Sequence, residues 1–150
     1  MGKNENKKKV YCALSADILH EGHINILKKA SKLGEVTVGL LTDEAIASFK
    51  KLPLLNYRQR KIIVKNIKFV NKVIPQNTFD YRPNLLKLKP DYVVHGDDWK
   101  TGVQKKIRKQ VIETLKKWSG KVIEPKYTKN ISSTKIKEKH LVMDSFRSLD

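Results

Sequence analysis

The 150-residue sequence contains one cysteine, Cys12, so no internal disulfide can staple the fold. Cys12 stands in an apolar run with the character of a buried strand and reads as an inert core thiol, in keeping with a reducing compartment. Only 7 glycines and 5 prolines are present, too few for a low-complexity chain. Aromatic residues make up 7%, and they do not interleave with the basic residues as a base-stacking surface requires. The longest apolar stretches, such as Val36 to Leu41 and Tyr92 to His95, fall far short of the ~20 residues that span a bilayer. Met1 to Lys9 is polar and lysine-rich, with no apolar segment behind it long enough for a signal peptide. These absences predict a cytoplasmic protein without membrane contact.

Acidic residues are scarce as well: 15 Asp and Glu stand against 32 Lys and Arg, a formal net charge of +17. The excess is almost all lysine, 27 against 5 arginines, and is spread over the chain. That distribution argues against a specific nucleic-acid surface. A lysine-rich composition accounts for it, as does a general positive field that attracts small polyanions. Charge alone does not choose between them. With 39% hydrophobic residues, the length supports one core and is too short for two ordinary domains.

The chain alternates strand-like and helix-like segments. A buried strand over residues 10–14 precedes a helix over 22–32 with Ile24, Leu27 and Ala30 at helical spacing, closed by Gly34 as a C-cap. A strand over 35–41 leads to Thr42 or Asp43, either of which caps a helix running to about Lys50. Pro53 interrupts, and a helix over 58–68 carries Ile63, Ile67 and Val70 on one face before a strand over 70–74. A short helix over 84–88, a strand over 91–95 and a helix opening near Thr101 follow. The last carries a stripe of Ile107, Val111, Leu115 and Trp118 and is closed by Gly120. A strand over 121–124 and a helix from about Thr134, capped by Ser132 or Ser133, complete the pattern. Such a rhythm predicts an α/β fold, a single Rossmann-like domain with a doubly wound parallel sheet over residues 10–139. Residues 1–9 read as a flexible basic tail and 140–150 as a C-terminal tail.

The stretch from Ser15 to His23 lies between the first strand and the first helix, where a doubly wound sheet binds ligands. Gly22 permits close backbone approach, and free N–H groups at a helix start favour phosphate oxygens. His20 and His23, three apart, share one side of the first turn and can donate to a phosphate that gains charge in a displacement. They read equally as caps or surface histidines. A metal-binding pair is the weaker option, since no third His or Cys stands nearby.

His20-Glu21-Gly22-His23 after a first strand resembles the His-x-Gly-His signature of the nucleotidyltransferases that include glycerol-3-phosphate and phosphocholine cytidylyltransferases. Two more segments match in order: Ile131-Ser132-Ser133-Thr134-Lys135-Ile136 resembles the family's Ile-Ser-Thr-Thr-x-Ile, and Gly96-Asp97-Asp98-Trp99 its Gly-Asp-Asp-Trp. The resemblance covers about Val10 to Glu138. It implies that His20 and His23 contact the phosphates of CTP, with Lys51 adding a flexible point charge. Ser15, Ala16, Asp17, Gly22, Gly96, Asp97, Asp98, Trp99, Ile131, Ser132, Ser133 and Thr134 would line the nucleotide site. Arg60, in a Tyr-x-x-Arg segment, would support it. Each has an ordinary alternative: Lys51 is one lysine of many, Arg60 a solvated helix residue, Trp99 packing, the hydroxyls helix caps, and Asp17 a structural carboxylate.

The same resemblance implies Mg²⁺ on the phosphates, with Asp17 a possible ligand, and a homodimer. Where the family has Gly-Thr-Phe-Asp this chain has Leu14-Ser15-Ala16-Asp17, and where it has Arg-Thr-x-Gly there is Tyr127-Thr128-Lys129-Asn130. Loss of that Arg points to a different acceptor, with Tyr127 near it. Segments 16–25, 39–48 and 90–102 look closest to the nucleotidyltransferase domain fused to phosphoenolpyruvate mutase in phosphonate biosynthesis. The expected reaction is therefore CMP transfer from CTP to a small phosphonate such as 2-hydroxyethylphosphonate or 2-aminoethylphosphonate, with pyrophosphate released. Glycerol 3-phosphate or choline phosphate is the alternative acceptor. A basic nucleic-acid-binding protein is the alternative of another class, and adenylyl transfer is open because the histidine motif does not identify a base.

Overall fold

A computed structural model describes residues 7–49, 51–126 and 131–139. Strands β1 (Lys9–Leu14), β2 (Glu35–Leu41), β3 (Lys72–Gln76), β4 (Tyr92–Val94) and β5 (Lys121–Ile123) form a sheet in the order β3-β2-β1-β4-β5. Every pairing is parallel. The helices are α1 (Glu21–Ser31), α2 (Asp43–Ala47), α3 (Tyr57–Lys65), α4 (Arg82–Leu88), α5 (Lys105–Leu115) and α6 (residues 133–139).

Alternating side chains of β1 feed two separate cores, as a strand covered on both faces must. Val10 and Cys12 join Leu27, Ala30, Val36, Val38, Leu40 and Val64, so α1 and α3 cover one face. Tyr11 joins Tyr81, Leu85, Val93, Val111 and Leu115, so α4 and α5 cover the other. The chain winds from β1 outward through β2 and β3, then crosses to β4 and β5. The crevice between the carboxyl ends of β1 and β4 is the topological switch point where such sheets bind ligands. Among the described residues no helix is long and apolar enough to cross a membrane.

Several local expectations shift. In α3 the inward row is Arg60 and Val64, while Ile63 is 44% exposed, because the buried guanidinium of Arg60 takes the place expected for an aliphatic side chain. Helix α2 stops at Ala47, where the Ser48 hydroxyl donates to Ala45 O. Gly34 is no left-handed cap: α1 ends on Lys32 in ordinary helical geometry. A Cβ at Gly34 would stand 2.2 Å from Lys8 O, so close approach explains that glycine. The left-handed residue after α5 is Ser119, at φ 62°, not Gly120. The 3-10 turn Gly102–Gln104 occupies the stretch expected to open α5, which begins at Lys105, and a second 3-10 turn, Asp97–Lys100, precedes it.

Candidate active site

A cavity of ≈ 210 Å³ opens at the carboxyl ends of the strands. Ser15 from the β1–α1 loop, Gly22 and His23 from α1, Gln76 from the end of β3, and His95, Gly96 and Asp98 after β4 all line it. Phe49, Phe79 and Tyr81 form an aromatic wall.

The β1–α1 loop turns through Ala16, which is buried at φ 52°, a left-handed conformation that costs a non-glycine residue roughly 1–2 kcal/mol. This turn delivers His20 to the N-cap of α1. His20 Nδ1 accepts from Gly22 N at 3.1 Å, and His23 Nδ1 accepts from His20 N at 3.3 Å. The two imidazoles thus form a reciprocal capping box, with ring centroids 4.1 Å apart. Because both Nδ1 atoms accept, the neutral rings carry their protons on Nε2. His20 Nε2 is buried with no hydrogen-bond partner. A buried donor left unmatched costs about 1–3 kcal/mol, and His20 stands behind His23, which lines the cavity while His20 does not. Burial lowers the His20 pKa, against a smaller upward pull from Glu21.

His95 has the opposite tautomer. Its Nδ1–H donates to Gly96 O at 2.8 Å, and its ring stacks on Trp99 with centroids 4.0 Å apart and planes 4° apart. Trp99, 1% exposed, donates through Nε1 to Glu124 at 2.7 Å, and Arg108 grips the same carboxylate at 2.9 Å through both Nε and Nη2. The Arg108 guanidinium holds Glu124 below the usual carboxylate range. Trp99 therefore braces His95 and the Gly96–Asp98 turn from behind rather than lining the cavity. Asp97 N donates to Pro125 O at 3.2 Å, fixing the same turn.

Burial lowers the His95 pKa too, more than the neighbouring carbonyl and carboxylates raise it. Both histidines therefore bind protons less readily in the folded protein than in the unfolded chain. Between the lowered native values and the ordinary value of about 6.5, the unfolded chain binds more protons, so stability is complete above that value and falls as pH drops through it. We expect the melting temperature to decline from about pH 7 to about pH 5, and to decline less in His20→Asn. A variant with the wild-type slope would refute the assignment to His20.

Arg60 is 1% exposed and stands behind the site. Its Nε donates to Leu55 O at 3.0 Å, Nη1 to Ser15 O and Leu41 O at 2.7 Å each, and Nη2 to Asp43 Oδ1 at 2.7 Å. It thereby joins the β1–α1 loop, the end of β2 and the loop before α3. Asp17 is buried, accepts from Leu54 N at 2.9 Å and pairs with the Lys137 ammonium. Lys51 is exposed on the loop that contains Leu54. At the start of α6, Ser132 Oγ accepts from Lys135 N at 3.0 Å, and the Ser133 hydroxyl donates to Ile18 O at 2.8 Å. Ile131 is half-buried there and Thr134 exposed. Tyr127, expected near the acceptor, lies outside the described residues.

No group of three His, Cys, Asp or Glu side chains that could hold a metal ion exists among the described residues. Asp17 is engaged by a backbone N–H and an ammonium group, which does not suit a preformed cation site. Among the described residues Asp98 is the one carboxylate that lines the cavity. The donor set fits an ion carried in mainly by substrate oxygens, as Mg²⁺ commonly is.

Three contributors escaped the sequence reading: His95, the Glu124–Arg108 brace and Gln76. Gln76, 2% exposed, accepts from the Tyr11 hydroxyl and donates to Thr78 O at 3.0 Å, while Asn84 Nδ2 reaches Tyr11 Oη at 3.0 Å. A polar side chain at the last position of β3 was a usable signal, since strand carboxyl ends face the crevice.

Residues 15–139 match the cytidylyltransferase-like family. Glycerol-3-phosphate cytidylyltransferase of Bacillus subtilis (strain 168) is 34% identical over 133 residues, 87% of this chain and 95% of that protein. Ethanolamine-phosphate cytidylyltransferase of Dictyostelium discoideum is 35% identical over 140 residues, 91% of this chain and 38% of that protein. Among solved structures, the lipopolysaccharide core biosynthesis protein from Thermoplasma volcanium superposes with a TM-score of 0.69 at 26% identity, over 82% of this chain and all of that one.

Proposed function

Because the chain belongs to the cytidylyltransferase-like family, we propose that it transfers CMP from CTP to a small phosphate monoester of the glycerol 3-phosphate or ethanolamine phosphate type, releasing pyrophosphate. The nucleotidyltransferase activity follows from the family. The acceptor reading departs from the phosphonate expected from sequence segments, because the two cytidylyltransferases described above are named for phosphate esters and neither for a phosphonate. The observation that carries the mechanism is the unmatched, buried Nε2–H of His20 beside His23 at the start of α1.

In this mechanism an oxygen of the acceptor phosphate attacks the α-phosphorus of CTP. A P–O bond forms there as the bond to the β-phosphate breaks, and pyrophosphate leaves with the electron pair. No protein nucleophile is needed, so the protein contributes position and charge stabilisation. His20 and His23 donate from Nε2 to phosphate oxygens as charge builds on them. Lys51 and the hydroxyls of Ser132, Ser133 and Thr134 approach the remaining phosphates, while Gly96 and Asp98 bound the cavity on the β4 side. Substrate oxygens, with Asp98 at the cavity, would hold Mg²⁺, which would supply neutralisation of phosphate charge. A homodimer forms part of this reading.

The test is pyrophosphate release across the four nucleoside triphosphates with glycerol 3-phosphate, phosphoethanolamine, phosphocholine, 2-hydroxyethylphosphonate and 2-aminoethylphosphonate. We expect CTP to be the preferred donor and a phosphate ester to lead in kcat/KM, by about 10- to 200-fold over the matching phosphonate. CTP with magnesium should also raise the melting temperature more than ATP does. A phosphonate in first place would overturn the acceptor assignment alone. Preference for ATP would overturn cytidylyl transfer.

A further inference from the structure

We propose that Asp17 and Lys137 are positioning residues whose ion pair latches α6 onto the β1–α1 loop and so fixes three phosphate-handling segments relative to one another. The purpose of the latch rests on the transferase reading; its existence rests on geometry alone. The Asp17 side chain is 0% exposed, and its two oxygens serve different parts of the chain. Oδ1 accepts from Leu54 N, in the loop that carries Lys51, and Oδ2 takes the ammonium of Lys137 in α6. Asp17 itself lies three residues before the His20 cap, in the loop set by the left-handed Ala16. One carboxylate thus meets the segments bearing the histidine pair, Lys51 and the Ser132–Thr134 hydroxyls.

The importance of the Lys137 tie follows from how little else, among the described residues, holds α6. None of residues 131–139 is fully buried, so the helix contributes no side chain to either core. A helix of two turns is not stable in isolation. Its docking depends on polar ties to the β1–α1 loop, of which Ser133 to Ile18 O and Lys137 to Asp17 are two. Removing Lys137 would take an ammonium away from a buried carboxylate, while Lys137 itself, 35% exposed at the side chain, would regain water on release. Latching and nucleotide binding are linked: a ligand that touches both α6 and the histidine loop favours the latched form, and the latched form binds it more tightly.

Lys137→Met, Lys137→Arg, Asp17→Asn and the double variant Asp17→Asn/Lys137→Met would be compared by amide hydrogen exchange of the free protein and by steady-state kinetics. We expect Lys137→Met to speed exchange in residues 131–139 about tenfold or more with β1 and β2 unchanged, and to raise KM for CTP about tenfold with kcat within a few-fold. Lys137→Arg should restore both readings. The double variant should be no worse than the poorer single, because both remove one interaction. Unchanged exchange at 131–139 in Lys137→Met would overturn the latch. So would loss of kcat in Asp17→Asn at unchanged KM with Lys137→Met silent, which would make Asp17 a group acting on the reacting atoms. Should Asp17→Asn fail to fold, the Lys137 pair decides alone, since its helix adds nothing to the core. If the wild type turns over no CTP with any acceptor, the transferase reading fails while exchange in the free protein still reports on the latch.

Discussion

His20→Asn is expected to lower kcat by about 100-fold or more with little change in melting temperature. The substitution separates two roles that the fold has given to one side chain. His20 Nδ1 caps α1 by accepting from Gly22 N, and asparagine is among the best residues for that duty. What asparagine lacks is the second ring nitrogen, the buried Nε2–H with no partner. His20→Ala removes both and should add a cap loss of about 1 kcal/mol, so a comparison of the two variants isolates the capping share. His23→Asn should behave like His20→Asn. The double variant should lose much less than the product of the two losses, because the two rings lie in contact, each held by a backbone N–H of the same helix start, and act as a unit. Near wild-type kcat in both single variants, measured with CTP and the best acceptor, would remove the histidines from the chemistry. A variant with normal melting and poor turnover is the decisive outcome, since capping alone predicts the reverse.

Much of the site was legible because it follows from one local rule: a strand, a tight loop and a helix start place the intervening residues at the switch point. Ser15, Gly22 and His23 line the cavity as that rule requires, and Gly96 and Asp98 do so after β4. Strand and helix order were readable from apolar runs, and so was the stripe of Val111 and Leu115 in α5. The failures have a shared physical origin. Hydrophobic periodicity places aliphatic residues inward, so it assigned Ile63 to the core and overlooked an arginine buried one helical turn before Val64. It also cannot see partners distant in sequence: Trp99 with Glu124 25 residues on, or Asp17 with Lys137 at 120 residues. Gly34 and Gly120 look like conformational caps in the sequence, whereas each serves a close backbone approach, a distinction that needs the neighbouring chain.

Arg60→Met is expected to destabilise the protein by about 3–5 kcal/mol, lowering the melting temperature by roughly 10 °C or more. Methionine keeps much of the stem and none of the donors. The carbonyls of Ser15, Leu41 and Leu55 then lose a charge-assisted partner, at a cost of about 1–3 kcal/mol for each that water does not reach. Asp43 adds less, because its side chain is 32% exposed and water can replace the guanidinium. The individual losses do not simply add, since the loops relax once freed, and the total stays below their sum. Even so, it takes away a large part of the ~5–15 kcal/mol that ordinary domains possess. Arg60→Lys should fall between, because a single ammonium cannot reach four acceptors spread around a planar fork. Function should decline through the loops: with Ser15 and the segment bearing Lys51 loosened, KM for CTP rises in whatever fraction remains folded. If Arg60 instead gripped the nucleotide directly, Arg60→Met would melt within a couple of degrees of wild type and lose only the CTP-induced rise in melting temperature. Denaturant unfolding with and without CTP distinguishes the two, and an unchanged midpoint in the free protein would overturn the structural role of Arg60.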